Sequence, residues 1–148
     1  MIDAGINVGL GTDGAASNNR SDMFAEMRLA ALLAKGQSGK AESLPAAFAL
    51  RMATLNGARA LGMDHEIGSL LPGKLADMVA VEMSGCELSP IYDPVSHLVY
   101  CAGREHVSHV WVGGEIRVDE GDFVSLEEAE LTSKAAWWKE RIASVRGN

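Results

Sequence analysis

The chain offers few groups that could do chemistry, and the most suggestive is one acid, Asp13, inside INVGLGTDGAASNN at residues 6–19. Residues 9–14 spell Gly-x-Gly-x-x-Gly, so the stretch has three readings: a phosphate cradle, a plain tight turn, or a catalytic carboxylate leaving a strand. The dinucleotide reading needs its third glycine at the opening of a helix and a second strand ending in an acid some 20 residues on. Here Gly14 is followed by Ala-Ala-Ser-Asn-Asn-Arg-Ser, and a second helix follows the first where that strand should be, which argues against it. Two readings stay open. An acid at the C-terminal end of a barrel strand sits where such barrels build active sites. An acid in a Thr-Asp-Gly turn hydrogen-bonds its own backbone.

No second constellation stands beside it. His106 and His109 are three apart, but the run Val107–Val112 reads as a strand, which sends them to opposite faces; no H-x-H pair exists. His65 and His97 fall in turns and read as structural or surface residues. There is no Gly-x-Ser-x-Gly elbow. Cys86 and Cys101 lie fifteen apart without a C-x-x-C, which excludes a disulfide scaffold, a four-cysteine zinc module and the P-C-x-x-C nucleobase deaminases.

The 148 residues are the length of one domain, with a formal charge of −7 and no Lys/Arg-rich run, which speaks against nucleic acid and anionic membrane as partners. No apolar stretch approaches the about 18 residues of a membrane span and no signal peptide is seen, so a cytoplasmic location is expected.

The elements that must position Asp13 follow from periodicity. Residues 6–11 alternate with period two and predict a strand, with Asn7, Gly9, Gly11 and Asp13 on one side; Gly9 and Gly11 would clear a crowded lumen there. Ser21 or Asp22 caps a helix predicted to stop at Lys35-Gly36. Ser43-Leu44-Pro45 opens a second helix with Leu44, Phe48, Met52 and Leu55 on its buried face. Thr54 is expected to cap a third, closed by Gly62. Beyond it, short runs at Met78–Glu82, Leu98–Cys101, Val107–Val112 and Ile116–Val118 predict antiparallel strands, with Gly113-Gly114 as a hairpin turn. A last amphipathic helix from Leu126 to about Val145 carries Trp137 and Trp138, read as one buried and one partly exposed residue. One strand with helices leaves strand faces unpartnered, so residues 1–62 read as the end of a larger α/β unit.

Taken together, VGLGTDGAASNN, DMFAEMRLAALLAK, ATLNGARALG, IGSLLPGKLADMV and YDPVSHLVY resemble the metal-dependent amidohydrolase superfamily. Within it, the resemblance is closest to the 5-methylthioadenosine/S-adenosylhomocysteine deaminases and triazine hydrolases, and runs from about Ile6 to Val118. It implies an α/β chain: the last strand and helices of a (β/α)8 barrel over residues 1–65, part of a flanking β-sandwich over 66–120, and a C-terminal helix over 121–148.

The same resemblance makes Asp13 a metal ligand or near-ligand that shuttles the proton of the attacking water. It puts Ser17, Asn18 and Asn19 where they could touch substrate or support the site. It implies one divalent metal, zinc first with iron, manganese or nickel as alternatives, unbound or weakly bound by this chain. The substrate would be a small adenosine derivative, the enzyme a homo-oligomer. The H-x-H pair, further histidines and glutamate of that family have no counterpart here, so an incomplete, inactive segment of a deaminase is expected. A triazine-type hydrolase, or a non-catalytic interaction module keeping the C-terminal half of the fold, are the alternatives.

Overall fold

The protein, a computed structural model, is described over residues 4–146. Helix α1 (Met23–Ser38) begins where the Asp22 carboxylate accepts from the N–H groups of Phe24 and Ala25, at 3.1 and 3.2 Å. It runs through Gly36 and ends only at Gly39, whose φ of 66° lets its N–H turn back to the Lys35 carbonyl. The predicted stop at Lys35-Gly36 is therefore one turn early: a glycine inside a helix costs about 1 kcal/mol, whereas the left-handed cap position requires it. Lys35 instead reaches forward, its ammonium donating to the carbonyls of Ser43 (2.6 Å) and Leu44 (3.0 Å).

Helices α2 (Ala46–Ala53) and α3 (Leu55–Ala60) follow. The Thr54 hydroxyl does not cap α3 as expected; it donates back to the Leu50 carbonyl at 2.8 Å.

The predicted strand at residues 6–11 is not formed, because among the described residues no strand pairs with it. A strand is defined by its neighbours, and this one finds helices. The Leu10 N–H donates to the Met52 carbonyl (3.0 Å). Asn56, buried at 4% exposure, donates from Nδ2 to the Val8 carbonyl (3.1 Å), while its own carbonyl accepts from Asn7 Nδ2 (2.9 Å). Arg51 Nε holds the Asn56 side-chain oxygen at 3.2 Å. The period of two survives nonetheless: Val8, Leu10 and Thr12 are half-buried, and Gly9, Gly11 and Asp13 exposed. Gly9 makes room for a helix. A Cβ on Gly9 would stand 3.2 Å from the Gly57 Cα, so this glycine admits α3, whereas at Gly11 a Cβ would meet nothing.

From Met78 the chain is antiparallel: β1 (Met78–Val81), then, after a long excursion, β2 (Val107–Val112), β3 (Glu115–Asp119) and β4 (Asp122–Phe123), in the order β1-β2-β3-β4. Gly113 and Gly114 join β2 to β3 with φ of 60° and 81°, the backbone of a two-residue hairpin turn. That turn is clamped from outside, Gly113 N–H donating to the Asp77 carboxylate (2.7 Å) and Gly114 N–H to the Ala76 carbonyl (3.1 Å).

The excursion holds the main surprise. Leu98–Cys101 is not a strand; its first three residues belong to helix α4 (Pro94–Tyr100), capped by the Asp93 carboxylate on the Val95 N–H with Pro94 at the first helical position. Helix α4 packs on α1 and α2, where Met27, Ala31, Ala49 and Val99 form the buried core. Arg28 fixes it there, donating to the Val99 carbonyl (3.3 Å) and the Ala102 carbonyl (2.6 Å).

Helix α5 (Glu128–Arg146) stands clear of this body. Trp137 and Trp138 are 52% and 54% exposed, so neither is the buried member of the expected pair. A helix with no packing partner has no inside on which to bury one.

Two outcomes check these assignments. Asn56→Ala strips the bond to Val8 and the acceptor of Arg51, and should lower the unfolding free energy by about 1–3 kcal/mol in urea titration, with Thr54→Ala costing less. Gly68 and Gly73 both have positive φ, 83° and 88°, but only at Gly68 would a Cβ collide, at 2.9 Å from the Leu55 Cα. Gly73→Ala should therefore cost about 1–2 kcal/mol for the backbone alone, and Gly68→Ala about 1–3 kcal/mol more.

Candidate active site

Asp13 follows the pinned segment at a sharp change of direction. Its φ is 57°, a left-handed conformation that aspartate tolerates better than most residues. Gly14 organises the loop behind it. The Gly14 N–H donates to Asp13 Oδ1 at 2.7 Å, and the Gly14 carbonyl accepts the N–H groups of Ser17 (3.0 Å) and Asn18 (2.8 Å) and the Ser17 hydroxyl (3.0 Å). The turn reading of Thr-Asp-Gly is thus met: the carboxylate does bond its own backbone. The side chain is exposed to solvent.

Both neighbours favour the ionised form. The Ser17 hydroxyl and, after it, the Gly14 N–H hold the Asp13 carboxyl below its ordinary pKa of 3.8. One hydroxyl proton cannot serve the Gly14 carbonyl and the carboxylate together, so the backbone N–H is the steadier donor.

The three loop residues differ. Ser17 is exposed and bound within the turn. Asn18 is half-buried, donating from Nδ2 to Glu26 Oε1 (2.6 Å) and accepting the Arg20 N–H (3.4 Å). Asn19 is exposed and, among the described residues, its side chain makes no hydrogen bond. The Asn18 bond ties the loop to the first turn of α1, whose start is set by Asp22 and backed by Arg20 at 3.3 Å. Glu26 and Asn56 are the supporting residues that periodicity did not single out as such. Glu26 was visible as an acid in a first helical turn, but the contact of Asn56 with residue 8 has no local signature.

Asp13 stands apart from the other described acids, histidines and cysteines as far as a metal is concerned. Among the described residues no group of three His, Cys, Asp or Glu could hold an ion. The two strand-region histidines are engaged elsewhere. His106 accepts the Gly103 N–H on Nδ1 (3.1 Å) and faces Glu87 with Nε2 (3.4 Å). His109 lies between the Ser108 hydroxyl (3.0 Å) and Asp119 (3.2 Å), stacked on Trp111. Both cysteines are free and exposed. An apolar groove of about 1060 Å³ opens between residues 9–10, the helices and β1, lined by Leu10, Phe24, Leu50, Leu61 and Val79; neither Asp13 nor Ser17 borders it. Among the described residues no helix is long and apolar enough to cross a membrane.

Comparison with known proteins places this geometry. The chain is 48% identical over 146 residues to a 5-methylthioadenosine/S-adenosylhomocysteine deaminase of Teredinibacter turnerae, covering 99% of this chain and 33% of that protein. A zinc-bound adenosine deaminase structure from Xanthomonas campestris superposes with a TM-score of 0.94 at 44% identity, over 97% of this chain and 33% of that one. A zinc-complexed atrazine chlorohydrolase from Arthrobacter aurescens gives 0.84 at 31%, over 91% and 30%. The chain thus spans about a third of the relatives it matches. The family model described as Amidohydrolase family matches residues 1–117, and the chain belongs to that enzyme family.

Proposed function

We propose that this chain is the Asp13-bearing third of a metal-dependent aminohydrolase that removes the exocyclic amine of an adenosine derivative of the methylthioadenosine/S-adenosylhomocysteine type. The observation that carries the proposal is the exposed, ionised Asp13 carboxylate, its Oδ1 held by the Gly14 N–H at the turn. The 48% identity to a deaminase of that specificity supports the substrate class, ahead of the 31% likeness to a triazine-branch enzyme. Residues 6–12 take the part of the last barrel strand, the period-two burial of residues 8–12 and their unpaired edges fitting neighbours supplied by the remainder of the enzyme.

The residues present do not by themselves fit a metal. A catalytic zinc takes about three protein ligands plus a water, and the described residues offer Asp13 alone. Such a cation, zinc by analogy with the two zinc-bearing relatives, would acidify water. The steps proper to this chain are Asp13's. Its carboxylate accepts a proton from the water that adds to the amine-bearing ring carbon, and returns it to the departing nitrogen as ammonia leaves. Its lowered pKa keeps it ionised, and so able to accept, through the neutral range. Ser17 and Asn18 shape the loop, and Asn19 is free to meet substrate.

The 148-residue chain alone should release no ammonia from methylthioadenosine; turnover accompanied by stoichiometric, tightly held metal would overturn this. In the full-length enzyme Asp13→Asn should lower kcat by about 10²–10⁴-fold with the fold intact by circular dichroism; loss of folding would return Asp13 to a purely structural turn. Because its folded pKa is depressed, Asp13 should stay charged as pH falls through 3.8 and protonate only below it. Carboxyl-carbon NMR titration of Ser17→Ala should show the midpoint rising toward that value while Gly14 still holds it beneath.

A further inference from the structure

An aspartate or asparagine followed by glycine is prone to cyclise on its own backbone, because no side chain shields the glycine nitrogen. The chain has two such pairs, Asp13-Gly14 and Asn56-Gly57. In an unstructured peptide the asparagine pair reacts faster, since an amide is a better electrophile than an ionised carboxylate. The fold treats the two pairs in opposite ways. Asn56 is 4% exposed and lies in α3. Its Nδ2 is spent on the Val8 carbonyl and its Oδ1 on Arg51 Nε. Gly57 is covered as well: a Cβ on Gly9 would stand 3.4 Å from its nitrogen. Helical backbone also turns that nitrogen away from the side-chain carbon.

Asp13-Gly14 is restrained in none of these ways. Residues 13–17 are exposed, and a Cβ on Gly14 would meet nothing within 4 Å. The Gly14 N–H already points at the Asp13 carboxyl, 2.7 Å from Oδ1. The nitrogen and the group it would attack are therefore in contact in the resting turn, on an exposed loop where chemical change meets least resistance.

We propose that Asp13-Gly14 is a self-modification site of this chain, converting through a cyclic imide to isoaspartate, while the fold protects Asn56-Gly57. The Gly14 nitrogen bonds to Cγ of the neutral Asp13 carboxyl. The Cγ–OH bond breaks, and the hydroxyl leaves with the amide hydrogen as water. Water then reopens the ring. Addition at the Asp13 main-chain carbonyl yields isoaspartate, and addition at Cγ restores aspartate. One water leaves and one returns, so no oxidant or co-reactant is needed. Isoaspartate routes the backbone through Cγ, one carbon longer, and leaves its carboxylate directly on Cα, one carbon short. The change strikes the acid to which the aminohydrolase chemistry is assigned above, but it proceeds independently of that role.

The folded 148-residue chain, aged for several weeks at neutral pH and body temperature, tests this. Trypsin releases the two pairs in separate peptides, ending at Arg20 and at Arg59, and electron-transfer fragmentation tells isoaspartate from aspartate at each position. In the native chain Asp13 should isomerise at least about tenfold faster than Asn56 deamidates, because Asn56 reacts only when its helix opens. In urea the order should invert. Gly14→Ala, which the open space around Gly14 tolerates, should slow the change at Asp13 at least about tenfold by shielding the nitrogen, with circular dichroism unchanged. Native Asn56 deamidating as fast as Asp13 isomerises, an Asp13 that stays intact over those weeks, or a Gly14→Ala chain converting at the wild-type rate would each overturn the proposal. None of these readouts measures activity, so failure here leaves the aminohydrolase assignment standing.

Discussion

The position of the candidate site depends on one buried amide. Asn56 grips the segment before Asp13 from the side, through its Nδ2 on the Val8 carbonyl and its carbonyl under Asn7. A backbone segment without a ladder still has to place its N–H and C=O groups, and here Asn56, with Met52 accepting from Leu10, supplies the partners. The close approach this needs is available because Gly9 and Gly57 face each other without side chains. Arg51 locks the amide by occupying its oxygen, so Nδ2 has to point toward Val8. Without that grip Asp13 would hang from a tether, and its φ of 57° would have no fixed frame.

A second constraint links the helices to the meander. The chain leaves β1 and returns at β2 only after sending α4 back to α1 and α2, where Val99 completes the core and Arg28 closes the far end of α4. Core and sheet therefore share no large interface, and α4, inserted between β1 and β2, carries the connection. This explains why so much apolar surface, including Leu29, Leu32, Leu61 and Leu70, remains exposed in a chain that spans about a third of its relatives.

How much was legible in the sequence varied with the range of the interaction involved. Asp22 followed by an apolar stripe announced α1, and Gly113-Gly114 announced a hairpin, because caps and turns are decided within a few residues. Leu98–Cys101 misled because a short apolar run does not distinguish strand from buried helix; Asp93-Pro94 just before it, a cap followed by a proline at the first helical position, was the signal that decided for helix. Residues 8–13 carried a true period of two, visible in the burial pattern although Ile6 is exposed, yet period describes which side a residue faces and not who pairs with it. The Trp137-Trp138 reading failed for a related reason, since burial was assumed from residue type on a helix whose described side chains are all exposed.

The same division by range explains the site itself. The ionisation of Asp13 is set by residues 13–17, since Gly14 and Ser17 are its nearest donors and both belong to one turn. That part was foreshadowed by Thr-Asp-Gly, and turn and carboxylate proved to be one feature: the turn that bonds Oδ1 leaves the side chain exposed. The position of Asn18 needs one element more, Glu26 on α1. A metal-binding set would need ligands from several separate segments, and no turn can substitute for them. A loop of this kind can therefore keep its shape and charge while the chemistry it serves waits on groups that other parts of an enzyme provide.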